Sequence, residues 1–594
     1  LPWLAAAALL CAAVYAPVLH AGFISGDDYG YVLHNPLIRS LSPANIRQMF
    51  SSLHLNLYSP LTTLSFALDY RFWQLNPAGY HLENMLLHFL NCAFAMLLAF
   101  FLYRRRGEET AGGGAVFTAG LAGLLFAAHP MHVESVAWIT ERKDMLSSFF
   151  LLGCCLCWMR WIRNGSRKAW TGSAVLFLLS LLVKPAAIYL PGLLFLFDWY
   201  VRREFRIADK IPHMLLALGF LGLMTARLFT PAPDIHGAPL ALGLADRMAM
   251  GAYGLWFYLW KIIWPVNLCA VYPYPMRPSG GIERMYYPAI PAALAVCCAG
   301  AWFAKRSREA AFGLIFFLLG TLPFLQFVQT GQGIVSERYS YIPYLGIFFM
   351  TAHFAARALL CENRKLRIAV AVAATAVIFL LAGISHSRAL VWRDSETLWH
   401  DVMRKQPGAQ TAPFNLGAYY IETGRCTQAV ALYTSGIKAG TRGADIYSNR
   451  AAAYVCSRDF VNAQEDYLAA LKYLPDDAGI LYGLGLTLAM QGRVAQAKQI
   501  FMRAIDADPD FAPALCAYGN ALRLERDFKN ARIYFERAIK ASPGYALSYA
   551  DLGMVELAEG NKNGALALAV KALYIEPGNP DAAGLKAAII QTYR

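Results

Sequence analysis

Apolar runs long enough to cross a lipid bilayer recur between residues 3 and 384. A bilayer core offers the backbone no water to bond, so such runs fold as helices whose amides are satisfied internally. This feature commits the first two thirds of the chain to an all-α, polytopic membrane domain. Composition agrees: 57% of the 594 residues are hydrophobic and 15% are charged, against about 25% charged in soluble proteins. From residue 410 onward the chain reads as a soluble helical domain. The first segment, Leu1–His20, lacks a basic n-region and a small-residue cleavage site, and reads as a spanning helix rather than a removed signal.

The basic residues set an orientation. Short clusters separate the apolar runs: Arg104–Arg106, Arg163–Lys168, Arg202–Lys210, Lys305–Arg308 and Arg364–Arg367. Positive clusters face the cytoplasm. Residues 248–265 suit an interfacial helix, being dense in aromatics around Lys261. About eleven spans result, with outer loops at 21–80 and 129–144. Pro43, Pro60 and Pro77 break the first of these loops, which reads as short helices lying on the membrane and roofing a site. The net charge of +14 is spread among these clusters instead of forming a patch on a soluble face, which argues against nucleic acid as a partner. Twelve cysteines show no metal spacing, and Cys426, Cys456 and Cys516 read as buried thiols of the C-terminal part.

That part is a repeat array. Pro475, Pro509, Pro543 and Pro577 stand 34 residues apart, as do Gly417, Ala451, Gly485, Gly519 and Gly553, and Ala429, Ala463, Ala497, Ala531 and Ala565. Small residues at fixed positions let paired helices approach, and a proline ends the second helix of every repeat but the first, where Thr441 stands. The period is that of tetratricopeptide repeats. The expected domains are a membrane domain over 1–386, a linker over 387–409, five repeats over 410–579 and a capping helix over 580–594. Stacked helix pairs make a concave surface suited to a peptide or protein partner.

Candidate chemistry gathers on one side of the membrane. Asp27 and Asp28 follow the first span, in Gly22–Asn35. A carboxylate pair there can take a proton from a hydroxyl or hold a divalent cation, and it can equally be a solvated loop. The second outer loop runs His129-Pro-Met-His132-Val-Glu134 to Glu141-Arg142-Lys143-Asp144. If Pro130 opens one continuous helix, His132, Ile139 and Lys143 share a face and Glu134 and Glu141 share another. As a plain surface helix it would stack Trp138 on Arg142. Lys184 ends an apolar run, where it can snorkel or meet a lipid phosphate. Arg338 can clamp a phosphate or pair with its neighbour Glu337. Ser385–Asp394 reads as a linker with Trp392 as interfacial anchor. Phosphate-binding glycine loops, dinucleotide fingerprints, zinc signatures and nucleophile elbows are absent.

The order of these features resembles the transmembrane and tetratricopeptide repeat-containing O-mannosyltransferases. Asp27-Asp28 and Asn35 follow the first span, then come the His129–Leu146 motif, Lys184-Pro185 to Asp198, the stretch from Ser336 through Tyr339 to Gly346, and the repeats. The resemblance implies a C-type glycosyltransferase fold. It implies transfer of mannose or another hexose from a polyprenyl or dolichyl phosphate to Ser/Thr of a protein acceptor, with inversion, on the periplasmic or luminal face. Asp27, with Asp28 beside it, would be the base. Arg142, Lys143, Lys184 and Arg338 would hold the donor phosphate. Asn35, His129, His132, Glu134, Asp144, Glu337 and Tyr339 would support the site. No cofactor is required by this reading, although Asp27 and Asp28 could hold a metal. The implied setting is a bacterial inner membrane with periplasmic repeats, or an endoplasmic reticulum membrane with luminal ones. A non-catalytic scaffold that recruits partners through its repeats is the alternative. A transporter fits less well, because the spans carry few internal charges.

Overall fold

The computed structural model describes residues 1–55, 57–104, 112–228, 242–277, 281–327 and 333–591. Arg105 and Arg106 of the first basic cluster lie outside these residues, as does the end of the expected span at 211–229. Among the described residues all regular structure is helical, with three isolated bridges. Two compact units emerge. One comprises 1–33 and 46–409, the other 34–45 and 410–594.

Six helices of the first unit are long and apolar enough to cross a membrane: Pro2–His20, Pro77–Tyr103, Ile139–Asn164, Ile207–Met224, Arg284–Ala304 and Arg364–Val391. A seventh candidate, Gly113–Ala128 with Pro130–Ala137, bends by 58° at its break. The other four expected spans fall on shorter helices: Arg167–Val183, Leu190–Tyr200, Arg308–Thr321 and Tyr344–Leu359. These hold 17, 11, 14 and 16 residues. The protein is thus a multi-helix membrane protein. Leu244–Ile263, the expected interfacial helix, buries Ala249, Met250, Gly254 and Tyr258 while Trp256, Trp260 and Ile263 stay exposed. Of the expected linker Ser385–Asp394, residues 385–391 form the end of the helix Arg364–Val391, and the wider expected linker 387–409 also holds the helix Ser395–Lys405. Trp392 is fully buried, 5.5 Å from Trp138, so it is a packing residue and not a headgroup anchor.

In the second unit five helix pairs follow one another, from Thr411–Glu422 with Cys426–Lys438 to Ala546–Ala558 with Lys562–Ile575, before a last helix Pro580–Gln591. The small residues of the 34-residue step have a steric cause. A Cβ added at Gly417 would stand 2.1 Å from Tyr433, at Gly485 2.4 Å from Phe501, and at Gly519 2.7 Å from Phe535. The second helix of a pair lays its aromatic ring where a larger first-helix residue would sit. Between the helices of each pair the chain turns through a left-handed residue: Gly424, Arg458, Gly492, Arg526 and Gly560. Cys426 and Cys456 are joined in a disulfide linking the first two pairs, whereas buried free thiols were expected. Cys516 alone of the three is a buried free thiol. The segment His34–Asn45 also packs here: its turn Pro36–Arg39 lies where a Cβ on Gly544 would meet Pro36 at 2.7 Å. Asn35 caps that turn by accepting from Leu37 N–H at 3.0 Å, and belongs to the repeat unit.

Candidate active site

The loop bearing the two aspartates is held by backbone and side-chain bonds from a distant part of the same unit. Gly22 N–H donates to Arg393 O (2.9 Å), Ser25 N–H donates to Ser395 Oγ (2.8 Å), and Trp399 Nε1–H donates to Ser25 Oγ (2.8 Å). The chain then reverses at Gly26, φ +117°, a conformation glycine adopts freely. A wide helical turn follows at Tyr29–Leu33.

The adjacent aspartates face different surroundings. Asp28 is fully buried, and each of its oxygens accepts a backbone N–H, Oδ2 from Ile24 (2.8 Å) and Oδ1 from Thr140 (3.0 Å). It staples this loop to the 139–141 segment. Burial raises its pKa to about 7, against the two amides, and the neighbouring Asp27 charge adds to the rise. Asp27 keeps 46% of its side chain exposed and lies 3.5 Å from Lys143 Nζ. That ammonium also sits 4.6 Å above the Tyr31 ring.

The 129–144 stretch is not the continuous surface helix expected. It folds as short turns at Pro130–His132, Val133–Ala137 and Ile139–Glu141 before the long helix Arg142–Asn164, with Trp138 extended between them. Nearly all of it is buried. The break persists because its freed backbone groups find partners: Asn84 Nδ2 donates toward the carbonyls of Trp138 (3.2 Å), Val136 and Ile139 (both 3.4 Å). The break also turns Glu134, Glu141 and Asp144 toward common partners.

Glu141 is the centre of that cluster. Its carboxylate lies 3.5 Å from Arg338 Nε, 3.8 Å from Lys143 Nζ and 3.9 Å from Lys184 Nζ. Glu134 accepts from Arg338 twice, from its backbone N–H at 3.0 Å and from its guanidinium. Asp144 accepts from Lys184 and, at 3.4 Å, from Ser135 Oγ. Burial opposes the charge on Lys184, but Asp144 and then Glu141 outweigh it and raise its pKa above the ordinary lysine value. Each of the three cations therefore has at least two carboxylates within 4 Å, Asp27 included, as buried charges require partners.

Lys184 and Arg338 remain partly accessible, at 17% and 19%. They border a cleft lined further by Asp144, Tyr189, Phe324 and Tyr339. Tyr339 stacks on Phe324 at 4.3 Å, with Lys184 Nζ 5.7 Å from its ring. The cleft has cations at one end and apolar walls. Its volume is about 40 Å³, where about 10–15 Å³ suffices to hold one water.

Several expected site residues lie elsewhere. Arg142 is 1% exposed and locked by Asp69 (2.9 Å), Tyr80 O (2.9 Å) and Asn84. With its donors spent on buried partners it is a structural cation, and it stacks on Phe66, not Trp138. Arg338 takes the Trp138 face. Glu337 does not pair with Arg338. It faces the other way, accepting from Tyr272 OH at 2.9 Å and lying 3.5 Å from Arg388. His129 accepts from Met131 N–H through Nδ1, and His132 Nδ1 lies 2.8 Å from Phe126 O. Both rings are buried among Tyr341, Tyr344 and Phe348, where they pack instead of meeting the charged cluster. The residue that sequence reasoning missed is Glu141. Its spacing from Glu134 was visible, but nothing local says that Lys184 and Arg338 converge on it.

The tetratricopeptide-repeat family profile matches residues 449–512 and 494–546. Among curated proteins, the protein O-mannosyl-transferase TMTC1 of Homo sapiens is 23% identical over 75% of this chain and 56% of its own length. Human TMTC4, named likewise, is 25% identical over 63% of this chain and 57% of its own. Tmtc3 of Drosophila melanogaster, also so named, is 24% identical over 74% and 51%. The chain thus spans somewhat over half the length of these relatives. A solved tetratricopeptide-repeat protein of Thermus thermophilus aligns with 31% of this chain and 100% of its own, at 20% identity and a TM-score of 0.29. The homologues of this chain are protein O-mannosyl-transferases of the transmembrane and tetratricopeptide repeat-containing family.

Proposed function

We propose that this chain is a membrane O-glycosyltransferase that moves a hexose, mannose by analogy with its relatives, from a polyprenyl or dolichyl phosphate to a Ser or Thr hydroxyl of a protein. The observation that carries the reading is the half-exposed Asp27 carboxylate beside the Lys143–Glu141–Lys184–Arg338 cluster. Asp27 takes the proton of the acceptor hydroxyl, and Lys143 and Tyr31 orient it. The acceptor oxygen attacks the anomeric carbon as that carbon's bond to the phosphate oxygen breaks. The electron pair leaves on the lipid phosphate, where Lys184 and Arg338 meet the growing charge. One displacement inverts the anomeric centre. Glu141 holds the three cations in place, and Asp28 holds the loop that carries the base.

The apolar walls around Phe324 and Tyr339 suit a lipid chain behind the phosphate. The Cys426–Cys456 disulfide supports repeats on an oxidising side, periplasm or endoplasmic reticulum lumen, because thiols stay reduced in the cytosol. In this reading the repeats hold the acceptor protein. A divalent cation is not needed for the displacement as written.

The test uses membranes containing the full chain, a polyprenyl-phosphate hexose and the co-purifying envelope or secretory proteins, read by intact mass. Wild type adds hexose. Asp27→Asn, at a half-exposed position, stays folded and loses transfer by roughly 100-fold or more. Equal spectra from wild type and variant, with partners still retained by the repeats, would establish the scaffold instead.

A further inference from the structure

Away from the charged cluster, Pro2–Tyr15 and Pro77–Tyr103 bring together three groups that no spacing in the sequence links. Cys11, His88 and Cys92 are all buried, and one ligand atom from each lies within 4.8 Å of the other two. His88 and Cys92 are four residues apart, so they share a helix face. Cys92 Sγ lies 3.9 Å from His88 Nε2. With Zn–S near 2.3 Å and Zn–N near 2.0 Å, tetrahedral ligand atoms stand roughly 3.5–4 Å apart. The separation is therefore of coordination size.

The imidazole is held as metal-binding histidines are. Its Nδ1 is 2.8 Å from Tyr341 OH, which also accepts from Asn91 Nδ2 at 3.3 Å. A tyrosine oxygen accepting from Nδ1–H leaves the Nε2 lone pair facing the sulfurs. Nε2 also lies 3.4 Å from Ala127 O, which it can meet only as a protonated donor, so metal binding takes the tautomer with the proton on Nδ1 and gives up this contact. A second observation is independent of the three ligands. The Tyr15 hydroxyl is fully buried without a hydrogen-bond partner, and its ring meets His88 edge-on at 5.2 Å.

We propose that Cys11, His88 and Cys92 bind one zinc ion, beside the buried Tyr15 ring. Binding releases two thiol protons. Two thiolates and a neutral imidazole then cancel the +2 charge, which suits helices of an apolar membrane unit. Monovalent copper would leave a net negative charge there. The ion would clamp the first helix, which leads into the Asp27 loop, against Pro77–Tyr103. This inference does not rest on the transferase reading.

Full-length chain purified in detergent should carry about one zinc per molecule by elemental mass spectrometry. Cys11→Ser and Cys92→Ser should lose it, while Cys297→Ser, at an exposed thiol, keeps it. Cobalt-substituted wild type should show thiolate-to-cobalt charge-transfer absorption, and Cys11 and Cys92 should resist alkylation until a chelator is added. The spectrum and the protection are read on wild type, so they stand even if a variant fails to fold. Metal-free wild type after zinc loading, copper in place of zinc, zinc unchanged in the Cys11→Ser chain, or a Cys11–Cys92 disulfide in the peptide map would each overturn the site.

Discussion

The two units place most of their ion pairs differently. In the repeat array, ion pairs such as Lys498–Glu525 and Arg532–Glu559 sit on the outside, and small residues against aromatic rings set the packing. In the membrane unit the charges are inside, and Glu141, Glu134 and Asp144 organise three cations from separate elements. A surface pair adds little because water screens it and solvates either partner alone. A buried cluster adds little as a whole too, since desolvation offsets attraction, but removing one member leaves an uncompensated charge. The first unit therefore ties its integrity to the groups it would use in chemistry, and the second does not.

Breaking the buried cluster should have the largest effect. Glu141→Gln leaves Lys143, Lys184 and Arg338 short of a carboxylate and should cost ~3–5 kcal/mol. Lys498→Ala in the repeats should cost under ~1 kcal/mol. Thermal unfolding of the full chain in detergent compares them. Equal shifts would mean that the cluster is hydrated and the contrast false.

Next comes the covalent link. Replacing Cys426 and Cys456 together by Ser should lower repeat stability by ~2–4 kcal/mol and leave the membrane unit's transition in place. Denaturant titration followed at each unit separates the two, and a shift shared by both transitions would show that the units do not unfold independently.

Acid sharpens the comparison further. Burial raises the Asp551 carboxyl from 3.8 to about 7, against the Asn520 amide that donates to it at 2.8 Å. The folded repeats thus hold this proton more tightly than the unfolded chain does. The stability it contributes is full below about pH 4 and is lost as pH rises through about 7. Asp551→Asn should remove that slope and leave the repeats more stable than wild type at pH 8 by at least ~1 kcal/mol. Parallel pH profiles for the two chains would refute the burial argument. The smallest effect belongs to the turns. Arg526 holds φ +64° where Gly424, Gly492 and Gly560 stand in three other pairs. Arg526→Gly should stabilise the array by ~0.5–1 kcal/mol, and a loss in chemical denaturation would show that the arginine side chain matters more than its backbone.

The repeats were readable because small residues return every 34 residues at the close approach of each helix pair. Gly417, Gly485 and Gly519 announced close helix approach, and the structure supplies the ring that each one admits. The place of Asp27 was also legible locally, as a carboxylate just past a span. The roles of the arginines were not. Arg142 looked as available as Arg338, and only the fold turns one onto Asp69 and Asn84 and the other to the cleft. Nothing near Cys426 or Cys11 announced the thiol or imidazole that each would meet.

The sequence by itself determined the helical class, the division into a membrane part and a repeat array, and the loop that carries Asp27 and Asp28. All of these follow from hydrophobic length and fixed period, which act over a few turns of chain. The tertiary structure decided which of two adjacent aspartates faces solvent, which cations border the cleft, and that Glu141 unites them. Those choices depend on partners such as Glu134 and Arg338, 204 residues apart. Desolvation forces each buried charge to find its counter-ion wherever the fold puts it, and spacing along the chain carries no record of that meeting.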